Sequence, residues 1–133
     1  LTYARNFISL KLGQRTLDPR LAIYYITQQC NLNCSYCEDF GARRNHEFTN
    51  PSFEDAKKIL AIIRDGVPNL WITGGEPLLS PYLLDLLTHA RDDLHFRSLS
   101  LISNGTLLSQ NLGLLPLLDR LIISLDAVQP AAL

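Results

Sequence analysis

Methionine is absent from this sequence, and the chain begins at Leu1. That predicts a chain whose start has been trimmed or a segment of something longer. Long apolar runs are missing too. None approaches the roughly 18 apolar residues of a membrane span, and residues 1–20 lack the continuous apolar centre of a signal peptide. Neither sign of charge dominates: twelve Lys and Arg meet thirteen Asp and Glu, a formal net charge of −1. This excludes the basic footprint of a nucleic-acid binder, and Arg43-Arg44 reads as a solvated loop. No linker, charge block or low-complexity tract divides the chain. What is present is 47% hydrophobic and 19% charged over 133 residues, enough for one domain, 1–133, with a real core.

Cysteine is scarce as well, but it is concentrated. The three thiols are Cys30, Cys34 and Cys37, spaced C-x3-C-x2-C. Three thiols cannot all pair as disulfides, and such close neighbours on a curled loop suit a soft metal better than a bridge. Clustered free thiols also point to a reducing, cytoplasmic setting. Structural zinc would need a fourth ligand, for which His46 is the candidate, at no standard finger spacing. Iron–sulfur clusters usually take four thiolates. Three thiolates on a four-iron cluster leave one iron open to a substrate.

In chain order, residues 1–20 form a lead-in. Ala4, Ile8 and Leu12, with Phe7 between, predict a packing helix stopped by Gly13, with an interfacial membrane helix as the alternative. Asp18-Pro19 reads as a turn. Leu21 to Thr27 is a β-rich apolar run suited to a strand covered on both faces, and the cysteine loop leaves its C-terminal end. After a polar loop from Glu38, Asn50 caps and Pro51 starts a helix with Phe53, Ala56, Leu60 and Ile63 on one face; Gly66 lies just past its end. A strand at 70–73 ends in Gly74-Gly75-Glu76-Pro77. Ser80 caps and Pro81 starts a second helix, lined by Leu83, Leu86, Leu87 and Ala90. A strand at 99–102 ends in Ser103-Asn104-Gly105-Thr106. Residues 109–118 make a poor helix, interrupted by Gly113 and Pro116. The last strand, 121–125, ends at Asp126.

Four strands alternating with helical connections predict an α/β fold. Its strands are parallel and in chain order, its helices lie on one face, and every polar strand end lies on one rim. Gly74 and Gly75 allow backbone to approach a ligand. Glu76 adds a carboxylate, and Pro77 stiffens the exit. An acid beside bare backbone suits an ammonium group; without a ligand it is a tight turn with a solvated glutamate. Ser103, Asn104 and Thr106 around Gly105 are ordinary turn chemistry when taken alone. Ser124 would sit inside an apolar strand and need a partner. With Asp126 it could hold ribose hydroxyls, or Asp126 could cap the next helix. His46, His89 and His95 share no motif, and Trp71 reads as core.

The cysteine motif, Gly74 to Pro77, Ser103 to Thr106 and Ser124 to Asp126, in that order on successive strands, resemble the N-terminal part of a radical S-adenosylmethionine (SAM) enzyme. The resemblance covers about residues 21–126. It implies a TIM-like partial (β/α) barrel of which about four strands are present. A [4Fe–4S] cluster would be held by Cys30, Cys34 and Cys37, with SAM chelating the fourth iron. Tyr36 matches the aromatic near the adenine. Gly74, Gly75, Glu76 and Pro77 match the segment that holds the methionyl ammonium. Ser103 and Asn104 match positions near the methionyl carboxylate and ribose, and Ser124 and Asp126 match positions near the ribose. Implied partners are SAM, a one-electron donor such as flavodoxin or ferredoxin, and a substrate of unknown class. The family barrel has two further βα units, so the chain reads as a truncated core domain that binds cofactors better than it turns over. Two other classes remain open: a non-catalytic iron–sulfur electron carrier, and a small zinc-stabilised domain.

Overall fold

The computed structural model describes residues 2–13, 17–37 and 50–125. Each apolar run becomes a strand: β1 (Ala22–Thr27), β2 (Asn69–Gly74), β3 (Ser98–Ser103) and β4 (Arg120–Ile123). They form one sheet in the order β1-β2-β3-β4, every neighbouring pair parallel. All four C-terminal ends therefore share one rim, as the alternation predicts.

Period-2 alternation sorts the sheet's residues. Tyr24, Ile26, Leu70, Ile72, Leu99 and Leu101 are buried on one face. There they meet α2 (Phe53–Gly66), through Ala56 and Leu60, and α3 (Leu83–Thr88), through Leu83, Leu86 and Leu87. Burying a side chain of this size contributes about 1.5–3 kcal/mol, so this layer is the main source of stability. The other face is different. Ile23 and Tyr25 are exposed, and Trp71 and Ile102 only partly covered. β1 is thus not covered on both faces by the described residues, and Trp71 is not a core residue, because it projects away from the helices.

Several boundaries differ from the sequence reading. The cap of α2 is Ser52, whose hydroxyl accepts from the Asp55 N–H at 3.1 Å. Asn50 is already committed: its Oδ1 accepts from the Thr27 hydroxyl and the Gln28 N–H. Gly66 closes the helix, and Val67 caps it. Pro77–Leu79 forms a short 3-10 turn, so Ser80 closes that turn and α3 starts only at Leu83. A π-type turn, His89–Asp93, extends α3. Residues 109–118 hold two 3-10 turns, Leu108–Gln110 and Leu112–Leu117, with Pro116 inside the second. β4 stops at Ile123, which puts Ser124 beyond the strand and exposed.

The lead-in helix α1 (Thr2–Lys11) forms as expected, but it does not pack its stripe. Asn6 fastens it to Asp18 by two hydrogen bonds, and Arg5 pairs with Asp18, so its polar side faces the body. Phe7, Ile8 and Leu12 are exposed. No helix among the described residues is long and apolar enough to cross a membrane.

Candidate functional site

At the rim, one cavity of about 330 Å³ opens between the strand ends. From the β1 exit it is lined by Cys30, Leu32, Cys34, Tyr36 and Cys37, and from β2 by Thr73, Gly74 and Gly75. From β3 come Ile102, Ser103, Asn104 and Thr106, and from the β4 exit Ser124 and Leu125. The sheet thus gathers residues that lie up to 95 positions apart, Cys30 to Leu125. Asp126 and His46 lie outside the described residues.

The β2 exit is held by its neighbour. A register shift in β1 between Tyr25 and Thr27 brings Thr27 opposite Gly74. The Gly75 N–H then donates to the Thr27 carbonyl at 2.9 Å, and the Glu76 N–H to the Gln29 carbonyl at 2.7 Å. Only glycine permits this approach. A Cβ on Gly74 would lie 2.3 Å from the Thr27 carbonyl oxygen, and one on Gly75 2.2 Å from that of Gln29. Gly74 also has φ +150°, which side chains rarely adopt. The close backbone approach anticipated from the glycines is therefore made to the β1 exit itself, one residue before Cys30, while both glycines still face the cavity.

Glu76 does not line the cavity; it lies fully buried behind the wall. Its Oε1 accepts from the Leu78 N–H (3.1 Å) and the Ser103 hydroxyl (2.8 Å), and its Oε2 from the Asn104 N–H (2.8 Å). Buried carboxylates require such partners. The result is a buried clasp between the β2 and β3 exits. Pro77 opens the 3-10 turn that supplies the Leu78 donor. The Ser124 N–H continues the ladder past β4 by donating to the Ser103 carbonyl at 2.9 Å.

The cysteine loop is curled by the Cys37 N–H donating to the Cys34 carbonyl at 3.2 Å. All three thiols are free and partly exposed. Burial pushes the Cys30 thiol up from its ordinary value; the Leu32 N–H opposes this, and the charges of Glu76, Cys34 and Cys37 add to it. A cation that binds sulfur would relieve that repulsion, because a coordinating thiol is deprotonated outright. Among the described residues no three Cys, His, Asp or Glu side chains are grouped to hold a metal ion. The thiols line one cavity without converging on a point. Three soft thiolates on one cavity wall are a donor set that iron–sulfur clusters and zinc both accept.

One residue at the rim, Asn31, was not singled out from sequence for a role. Asn31 bonds across the cavity mouth to Asn104 and to Thr106. Neither spacing nor composition signals this, since the partners are 73 and 75 residues away.

The profile of the Radical SAM superfamily matches residues 24–133. Among curated proteins, the chain is 36% identical over 107 residues to a probable GTP 3',8-cyclase of Methanococcus maripaludis, covering 79% of this chain and 36% of that protein. It is 37% identical over 132 residues to the GTP 3',8-cyclase of Acidothermus cellulolyticus, covering 90% of this chain and 34% of that one. The chain thus spans about a third of these relatives. Among solved structures, Streptococcus suis SuiB, bound to precursor peptide SuiA, superposes with a TM-score of 0.58 at 24% identity. The match covers 78% of this chain and 23% of SuiB, and it supports the partial-barrel fold.

Proposed function

The chain belongs to the Radical SAM superfamily, and on that premise we propose that its rim holds a [4Fe–4S] cluster beside SAM. Family membership carries with it a general capacity for iron–sulfur and SAM binding, and the family is one of enzymes. The observation that carries the finer reading is the single cavity lined by Cys30, Cys34, Cys37, Gly74, Gly75, Ser103, Asn104 and Ser124. In this reading the three cysteines ligate three irons. Tyr36 flanks the adenine. The Gly74-Gly75 backbone, with Glu76 and Pro77 buried behind it, is assigned to the methionyl ammonium, Ser103 and Asn104 to the carboxylate and ribose, and Ser124 and Asp126 to the ribose. A cluster held by Cys30, Cys34 and Cys37 would supply one-electron reduction to SAM held along Gly74 to Pro77, Ser103, Asn104, Ser124 and Asp126, and that reductive cleavage would provide the radical chemistry for hydrogen abstraction.

The chain's own residues orient and shield. The glycine wall fixes the distance between the β1 and β2 exits, and Leu32, Ile102 and Leu125 give the cavity an apolar lining that favours exclusion of water. Glu76 keeps negative charge behind the ammonium site, where a cation offsets its repulsion with thiolates. A one-electron donor such as flavodoxin or ferredoxin and a reducing, cytoplasmic setting complete the reading. Residues 1–133 form the first four strand units of one core domain, with 1–20 as lead-in. The substrate stops at a hydrogen donor: the named relatives include GTP cyclases, whereas SuiB is bound to a peptide.

The test is anaerobic reconstitution followed by paramagnetic resonance with and without SAM. A SAM-dependent change in the cluster signal is expected. A cluster that ignores SAM would favour an electron carrier, and stoichiometric colourless zinc a structural domain. Glu76 is buried and already takes three protein donors, so Glu76→Gln acts through the clasp: it should loosen the β2 and β3 exits, lower the stability of the metal-free protein, and weaken SAM binding about ten- to a hundredfold. An unchanged dissociation constant would remove Glu76 from the site.

A further inference from the structure

We propose that Asn31 is a positioning residue that ties the cysteine loop to the SAM-side wall. This inference rests on the reading under Proposed function. The Asn31 Nδ2 donates to the Thr106 hydroxyl at 2.8 Å, and that hydroxyl donates to the Asn104 Oδ1 at 2.7 Å. The Asn104 Nδ2 returns to the Asn31 Oδ1 at 2.9 Å. The three side chains form a closed ring in which each both gives and accepts. The ring is exposed to solvent, so what it supplies is geometry: removing one member leaves the other two without their ring partner, which couples the three side chains.

The ring's two ends explain what it positions. Asn31 directly follows Cys30 but does not itself line the cavity. At the other end, the Asn104 N–H donates to the buried Glu76 carboxylate at 2.8 Å. A path of hydrogen bonds therefore runs from the first cysteine, across the mouth, into the clasp between β2 and β3. The backbone bond from Glu76 to Gln29 fixes the loop on the other side of Cys30. Cys30 is thus held on both flanks. Such two-sided fixing sets where the loop stands relative to the β3 exit, and so the separation of the cysteine and SAM-side walls. Misplacing bound groups by about 1 Å costs function even when every contact residue is intact.

The experiment uses the protein, reconstituted anaerobically, as wild type, Asn31→Ala, Thr106→Val, the double variant and Thr106→Ser. SAM is titrated and followed by paramagnetic resonance, with iron and sulfide measured in parallel. Iron content and the SAM-free signal should match wild type throughout. Each of Asn31→Ala and Thr106→Val should weaken SAM binding about three- to tenfold, the size of one net hydrogen bond, and broaden the SAM-bound signal. The double variant should be no worse than either single one, because the ring breaks as a unit. Thr106→Ser, which keeps the hydroxyl, should restore wild-type behaviour. Should Asn31→Ala fail to fold, Thr106→Val tests the same ring from the opposite wall. Wild-type affinity in both single variants, additive losses in the double variant, or no rescue by serine would overturn the inference while leaving the cofactor reading intact. A wild type whose cluster ignores SAM would bring down that reading, and this one with it.

Discussion

The β2 exit and the cysteine loop face each other across one cavity, yet they are built by opposite means. The β2 exit is fixed by backbone. Two glycines lie against carbonyls of the β1 exit, and a buried carboxylate takes three protein donors. The cysteine loop keeps its thiols free and partly exposed, and is fastened across the mouth by a ring of surface side chains. One wall is finished by the polypeptide, whereas the thiols of the other keep their sulfurs free of disulfides. The contrast separates two kinds of sensitivity: to shape at the glycines and to ligand chemistry at the cysteines.

The largest expected effect breaks the finished wall. Gly75→Ala drives a Cβ into backbone that cannot swing aside. The apo-protein should lose about 3 kcal/mol, the upper end for overpacking, and iron loading should fall with it. Chemical denaturation of the apo-protein measures this, and a midpoint equal to wild type would show that the two exits are not locked together. Cys34→Ala should do the reverse. Its apo stability should stay within about 0.5 kcal/mol, while iron bound after reconstitution drops to background. Full iron in that variant would remove Cys34 from the ligand set.

The smallest effect lies away from both walls and serves as their reference. The Asp119 carboxylate accepts from the Leu99 N–H and from Arg91, each at 2.7 Å, which together hold it below its ordinary value. A depressed carboxylate contributes stability above its unfolded value, about 3.9, and loses it as pH falls through the folded value. Asp119 is substantially exposed, so the contribution is small. Urea midpoints of wild type and Asp119→Asn should differ slightly at pH 6, and the gap should narrow as pH falls below about 3.9 and through the depressed folded value. A gap that persists at low pH would assign the difference to packing.

The sequence makes the sheet legible because each apolar run ends in polar or glycine-rich residues, and parallel crossovers allow few arrangements. The same logic brings Cys30, Gly74, Ser103 and Ser124 to one rim, residues that no local spacing connects. Legibility fails where a side chain has rival partners. Asn50 has good capping chemistry for α2, but Thr27 and Gln28 take its oxygen first. Gly74 and Gly75 read as space for a ligand, whereas the first atoms to use that space are carbonyls of the chain itself. Glu76 could not be known to be buried, since two of its three donors come from a strand end 27 and 28 residues away. Trp71 misleads because a β-strand has two faces and only one carries helices.

Strand order identical to chain order has a consequence in time. Ribosomes add about 5–20 residues per second, so the 87 residues between Cys37 and Ser124 take roughly 4–17 s to make. Until β2, β3 and β4 are made in turn, the nascent chain carries three free thiols whose opposing walls are incomplete. β1 and β2 can pair early, because adjacent units need only short loop closures. The mouth ring needs Thr106, and the last lining residues arrive with β4. The walls of the cavity are thus completed in chain order, the cysteine loop first and Ser124 and Leu125 last.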